Sequence, residues 1–163
     1  RVAVHQGARV TDLVIIGSGG MGIPRAPMEE MINWRDAPTP EAVREAQRRN
    51  LEILMIADPA KVDDLAIYTQ TENTKRGRVK SIQFAVTART LEALHKVDGK
   101  ISGIWGEQDA IAVGNIDARR EALRAVQPDC DFRVIPGAGH WVIYECPDTV
   151  NEMLLEIFEV IPA

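Results

Sequence analysis

Two short apolar runs, each closed by glycine and each handing over one reactive side chain, constrain this chain more than anything else in it. The first is Ile101-Ser102-Gly103-Ile104-Trp105-Gly106, followed by Glu107-Gln108-Asp109. The second is Phe132-Arg133-Val134-Ile135-Pro136, followed by Gly137-Ala138-Gly139-His140-Trp141. Both read as buried strands, because parallel strands covered on both faces are apolar without strict alternation. Asp109 and His140 therefore fall on loops at the carboxyl ends of strands, where open parallel sheets collect ligands and catalytic groups.

The rest of the chain supplies the sheet and its crossovers. Residues 1–9 read as the tail of a helix and residues 10–16 as a strand, ended by Gly17-Ser18-Gly19-Gly20-Met21-Gly22. From residue 28 to about residue 98 the pattern is almost wholly helical. Thr39-Pro40-Glu41 is a helix start, with a capping hydroxyl, proline in the first turn and an acid beside it. Val43, Ala46, Leu51, Leu54 and Met55 follow at helical spacing. Asp58-Pro59 breaks that helix and starts another, with Val62, Leu65, Ala66 and Thr69 on one face. Further helices are expected over residues 78–87 and around Leu91, Leu94 and His95, stopping at Asp98-Gly99. A helix over residues 116–126 joins the two apolar strands. A last helix, from Pro147 to about Val160, carries Val150, Met153, Leu154, Ile157 and Phe158 on its buried face.

Strands separated by helices imply an α/β fold with a parallel sheet and right-handed crossovers. A crossover needs only about a dozen residues. The excess between the first and second strands is thus an all-helical insert over the sheet. The expected organisation is a core segment at residues 1–22, a helical cap at 23–98 and a second core segment at 99–163.

Composition narrows the partners. The net charge is -5 and the basic residues are scattered, which argues against nucleic acid and anionic membranes. No apolar run approaches a membrane span. Two cysteines without a C-x-x-C pair make reduced thiols the expectation, which fits a cytoplasmic protein. No metal site is expected, since H-E-x-x-H and other closely spaced ligand sets are absent, and no cofactor is required.

An imidazole can take a proton from a hydroxyl, and a carboxylate on its other nitrogen fixes the tautomer. Asp109 and His140 can therefore be the acid and base of a nucleophile–His–acid triad, and acid before histidine is the chain order of one such fold. Glu107 and Asp117 are rival acids. His5 and His95 sit in helical patterns and read as structural. Ser18 does not make a nucleophile elbow, because the G-x-S-x-G pattern needs glycine where Ile16 stands. Gly17–Gly22 matches G-x-G-x-x-G, yet Pro24 and Pro27 oppose the helix that a dinucleotide site needs. Nucleotide binding stays as an alternative reading.

These residues resemble the α/β-hydrolase family over essentially the whole chain. Ile104-Trp105-Gly106-Glu107-Gln108-Asp109 is similar to the acid-bearing motif after the seventh strand of that family. Gly137-Ala138-Gly139-His140-Trp141 is similar to the histidine motif after the eighth, and residues 8–16 to the helix end and sixth strand. The helical insert stands where the family carries its cap. Ile16-Gly17-Ser18-Gly19-Gly20-Met21-Gly22, with Trp141 after the histidine, further resembles the meta-cleavage-product hydrolases, which cleave a carbon–carbon bond of vinylogous diketones without a cofactor. The resemblance implies Asp109 and His140 as catalytic, and Trp141, Gly19, Gly20 and Trp34 as shaping a pocket for a small apolar carbonyl or ester substrate. Two departures stand out. Gln70 falls near the place of the arginine that takes the substrate carboxylate, and Ala112-Val113 replaces a proline after the acid.

The resemblance also implies that the elbow serine and the oxyanion-hole donors precede Arg1. The expectation is the C-terminal part of an α/β-hydrolase sheet, three strands with flanking helices plus a helical cap, whose partner is the N-terminal part of the same hydrolase. Alone it would be inactive. A non-catalytic binding or assembly subunit is the other reading, and homo-oligomerisation stays open.

Overall fold

The computed structural model describes residues 1–79 and 82–160. Three parallel strands form one sheet in the order β1 (Asp12–Ile16), β2 (Lys100–Gly106), β3 (Asp131–Ile135). The register pairs Ile16 with Ile104 and Gly106 with Ile135. β2, in the middle, is buried from Ile101 to Gly106, which its unbroken apolar run requires.

Side chains alternate across the sheet. Ile15, Ile101 and Trp105 point to one side, where they meet Leu94, Leu123 and Cys130. Helices α5 (Arg89–Leu94) and α6 (Ile116–Val126) cover that side. Trp105 stacks on Phe132 with ring centroids 5.0 Å apart. Ile104 and Ile135 point the other way, onto Val142 and Val150, beneath α7 (Val142–Glu145) and α8 (Pro147–Ile157). The N-terminal helix α1 (Val2–Gln6) precedes β1.

Between β1 and β2 lie α2 (Pro40–Leu54), α3 (Asp64–Arg76), α4 (Ile82–Ala85) and α5. Thr39 caps α2 by accepting from the amide of Ala42, as its start signal predicts. Several expectations are corrected. Residues 28–33 are not helical; Asn50 on α2 holds the backbone of Ile32 through both its N–H and its carbonyl, so the peptide groups of Ile32 are satisfied without a helix. The second helix of the insert starts at Asp64, not at Asp58-Pro59. Asp58 caps only a single tight turn at Pro59–Lys61, and Asp63 caps α3 through the amide of Ala66. Val62 lies before this helix and is buried. Ala66, Ile67 and Gln70 are buried and Leu65 is exposed. The helix expected over residues 78–87 crosses residues outside the described set, and α4 is confined to Ile82–Ala85. Phe158 lies beyond the end of α8 and is exposed.

Candidate active site

Glycine geometry brings the ends of β2 and β3 together. A Cβ on Gly106 would lie 2.2 Å from the carbonyl oxygens of Ala138 and Gly139. Only glycine lets the histidine loop close over the end of β2. Around this contact the Gln108 amide donates to Ala138 O and the Gly137 amide donates to the Glu107 carboxylate. Glu107 thus ties the two loops together, and Asp117, the other rival acid, pairs with Arg120 on the surface of α6.

Asp109 sits in a tight turn after β2. Its carbonyl accepts from the amides of Ala112 and Val113, and its Oδ1 accepts from the amide of Ile111 at 2.9 Å. Arg119 lies behind this turn, buried, donating to the carbonyls of Asn115 and Ile111. Burial lowers the Arg119 pKa from its ordinary value, and the charge of Asp109 opposes that shift.

His140 projects toward the same point. Its Nδ1 lies 2.9 Å from Asp109 Oδ2, with the Asp109 side chain 1% exposed and the imidazole 20% exposed. Gly17, at φ 55, turns the chain beneath the imidazole, and a Cβ there would come within 3.4 Å of the ring. The amide of Trp141 donates to Met55 O at the end of α2. A cleft of about 390 Å³ opens beside the histidine, lined by Ile16, Thr69, Trp141, Val142, Ile143 and Tyr144. The buried-carboxylate–imidazole arrangement fixes Nδ1 as the protonated nitrogen and leaves Nε2 as the proton acceptor.

The structure brings together Asp109, His140 and Trp141 and sets the other candidates apart. Gly19 packs on Ala85 and borders a separate apolar trough of about 910 Å³ along β1. Gly20 packs on Thr90, whose Oγ1 would be 2.2 Å from a Cβ at that position. Trp34 lines a hollow of about 660 Å³ between α2 and α3 with Pro38, Val43, Ile67 and Tyr68. Gln70 is buried on the inner face of α3, and its neighbour Thr69 is the residue that reaches the cleft. Ser18 donates its hydroxyl to the Gly19 carbonyl.

The glycine loop spends its amides on protein. Gly20 N–H donates to Ala85 O and Gly22 N–H to Thr87 O, so these donors do not face a phosphate. Among the described residues no cluster of three or more metal-ligating side chains occurs. No helix among them is long and apolar enough to cross a membrane.

Sequence reasoning missed Glu145 and Tyr144. Glu145 follows the histidine by five residues and reads as an ordinary first-turn acid of the next helix. Its burial has no signal in local pattern.

This sheet, with an acid after β2, a histidine after β3 and helices inserted between β1 and β2, matches part of the α/β-hydrolase fold. No family model matches the chain, and no curated protein is significantly similar in sequence. Solved structures are similar. A meta-cleavage product hydrolase from Pseudomonas fluorescens IP01 superposes with a TM-score of 0.59 at 20% identity, covering 97% of this chain and 59% of that one. The 2-hydroxy-6-oxo-6-phenylhexa-2,4-dienoate hydrolase of Rhodococcus sp. strain RHA1 gives 0.61 at 18% identity, over 97% and 58%. An esterase from Rhodococcus sp. ECU1013 gives 0.60 at 18%, over 98% and 60%. The chain therefore spans about three fifths of the length of each of these structures.

Proposed function

We propose that this chain carries the acid–base part of a serine-type hydrolase that cleaves an ester, or a carbon–carbon bond of a vinylogous diketone. The observation that carries the reading is the buried Asp109 carboxylate on His140 Nδ1 at 2.9 Å, set at the mouth of an apolar cleft. In this reading Asp109 orients the ring. His140 Nε2 takes the proton of a nucleophile as it attacks a carbonyl, then delivers it to the leaving group. Ile16, Trp141, Val142 and Ile143 favour a small apolar substrate. Residues 23–98 act as a cap above the cleft.

The nucleophile is a serine supplied from outside these residues. Two observations support this. Among the described residues no hydroxyl hydrogen-bonds the His140 ring, whose hydrogen bond goes to Asp109. β1 is paired on one side alone, by β2, and the apolar trough of about 910 Å³ runs along it between α1 and α5. An edge strand beside apolar surface is a place for further sheet to dock.

The test is complementation with a polypeptide bearing the elbow serine. Aryl ester and 2-hydroxy-6-oxo-dienoate substrates should both be offered, and turnover should disappear in His140→Ala. Absence of any His140-dependent turnover would leave the assembly-subunit reading, which the missing hydroxyl partner also supports.

A further inference from the structure

A buried carboxylate outside the acid–histidine pair does work that the proposed reaction has not used. Glu145 on α7 is 4% exposed. Its Oε1 accepts from the amides of Ala57 at 3.0 Å and Asp58 at 3.1 Å. Its Oε2 accepts from the amide of Gly139 at 2.6 Å. Among the described residues no cation pairs with this carboxylate; Lys61 lies close but gives its ammonium proton to the Glu145 backbone carbonyl, at 2.7 Å. Three backbone dipoles therefore hold a buried charge, which a fold tolerates only when every oxygen is well bonded.

The location of those amides gives the carboxylate its role. Gly139 precedes His140, and Ala57 and Asp58 belong to the turn between α2 and α3. On the other side of His140, the Trp141 amide donates to Met55 O at 2.7 Å. Both peptide neighbours of the histidine are thus fastened to the same cap turn, one through Glu145 and one directly. Glycine is required at 139, because a Cβ there would stand 2.8 Å from Glu145 Oε2 and 2.7 Å from Ala57 N.

We propose that Glu145 is a positioning residue: it locks the cap turn at residues 55–58 to the histidine loop, so that His140 meets Asp109 only when the cap is seated. The consequence for turnover rests on the hydrolase reading; the consequence for the imidazole does not. Glutamine cannot replace it. Three N–H groups converge on two oxygens, so the single carbonyl oxygen of Glu145→Gln can serve one side, and its NH2 then opposes an N–H on the other.

The test is NMR of Glu145→Gln beside Leu94→Ala, which loosens the far side of the sheet without touching this junction. Glu145→Gln should raise Gly139 amide exchange by about tenfold or more and broaden or abolish the His140 Nδ1–H signal. Leu94→Ala should preserve that signal. Retention of wild-type Gly139 protection and ring signal in Glu145→Gln, or equal loss in Leu94→Ala, would overturn the proposal. Should Glu145→Gln not fold, exchange in the unmutated protein decides: Ala57, Asp58 and Gly139 should open together, and independent opening of Gly139 refutes the lock. In the complemented enzyme kcat should fall about 100-fold with KM little changed. A disturbed ring signal with unchanged turnover upholds the lock and removes His140 as the base of the reaction, whereas a disturbed ring signal with no turnover even in the unmutated, complemented protein upholds the lock and overturns the hydrolase reading.

Discussion

Asp109→Asn is the sharpest perturbation available, because one backbone amide decides its outcome. The two carboxylate oxygens have separate partners: Ile111 N–H on Oδ1 and His140 Nδ1 on Oδ2, each at 2.9 Å. Asparagine offers one oxygen and one NH2. Turning the NH2 toward Ile111 would set two donors against each other inside a site that is 1% exposed, at a cost of about 1–3 kcal/mol. The oxygen therefore stays on Ile111 and the NH2 faces the ring. Nδ1 must then accept, and its proton moves to Nε2, the atom that should receive the proton of the nucleophile. The geometry survives and the tautomer is wrong. In a working triad that exchange costs about 10⁴-fold in kcat, or about 5 kcal/mol in the barrier. Stability should change by no more than about 2 kcal/mol, since the lost charge-assisted bond is offset by burial of a neutral group. The assay is nitrogen-15 NMR of the imidazole, which separates Nδ1–H from Nε2–H without needing turnover. Persistence of the Nδ1–H tautomer in Asp109→Asn would refute the reasoning, whatever the activity.

Two further outcomes follow from the same region. Gly106→Ala places a methyl against two backbone carbonyls of the histidine loop; it should cost about 3 kcal/mol or more in denaturant unfolding and abolish the His140–Asp109 bond, whereas Gly137→Ala, with open space around its Cβ but φ 69, should cost only about 1–2 kcal/mol. The Tyr144 hydroxyl donates to Asp63; burial, then that bond, pushes Tyr144 up to about 12, and the same bond holds Asp63 below the usual carboxylate range. The neutral phenol therefore stabilises the fold fully below about pH 10, and that share fades as pH rises toward 12, while the Asp63 share is present above about pH 4 and fades in acid. Tyr144→Phe should flatten both limbs of stability against pH, and an unchanged alkaline limb would count against the assignment.

What was legible in the chain was whatever local pattern controls. The three strands, the helix at Ile116–Val126 and the cap at Thr39 follow from apolar runs, proline and capping hydroxyls. The pair Asp109 and His140 follows because strand ends in a parallel sheet bring loops together. What failed was the start of a helix and long-range fastening. Asp63, not Asp58, caps α3, and the packing of that helix leaves Leu65 exposed and Gln70 buried. Of the spacing Val62, Leu65, Ala66 and Thr69, Val62 and Ala66 are buried and Thr69 partly so, while Leu65 is exposed. Residues 28–33 have helical spacing as well, yet a single asparagine eighteen residues away along the chain satisfies the Ile32 backbone. Trp34 illustrates the same limit: an aromatic in the helical insert can face the cleft or a neighbouring helix, and contacts distant in sequence choose between them.

Glu145 shows why a site can be half readable. The groups proposed to do chemistry are exposed to pattern, because histidine is scarce in the chain and their loops follow directly on strands. The groups that aim them are ordinary residues made special by closure. Gly106, Gly139 and Glu145 meet within a few ångströms only after β2, β3 and the α2–α3 turn have assembled. None of the three has a local reason for its position. Gly106 yields room, Gly139 admits the Glu145 side chain, and that side chain accepts three backbone amides. A substitution at any of them should therefore be felt at His140 before it is felt in the sheet, whereas a core change such as Leu94→Ala should show the reverse order. That ordering separates residues that aim the imidazole from residues that merely hold up the fold.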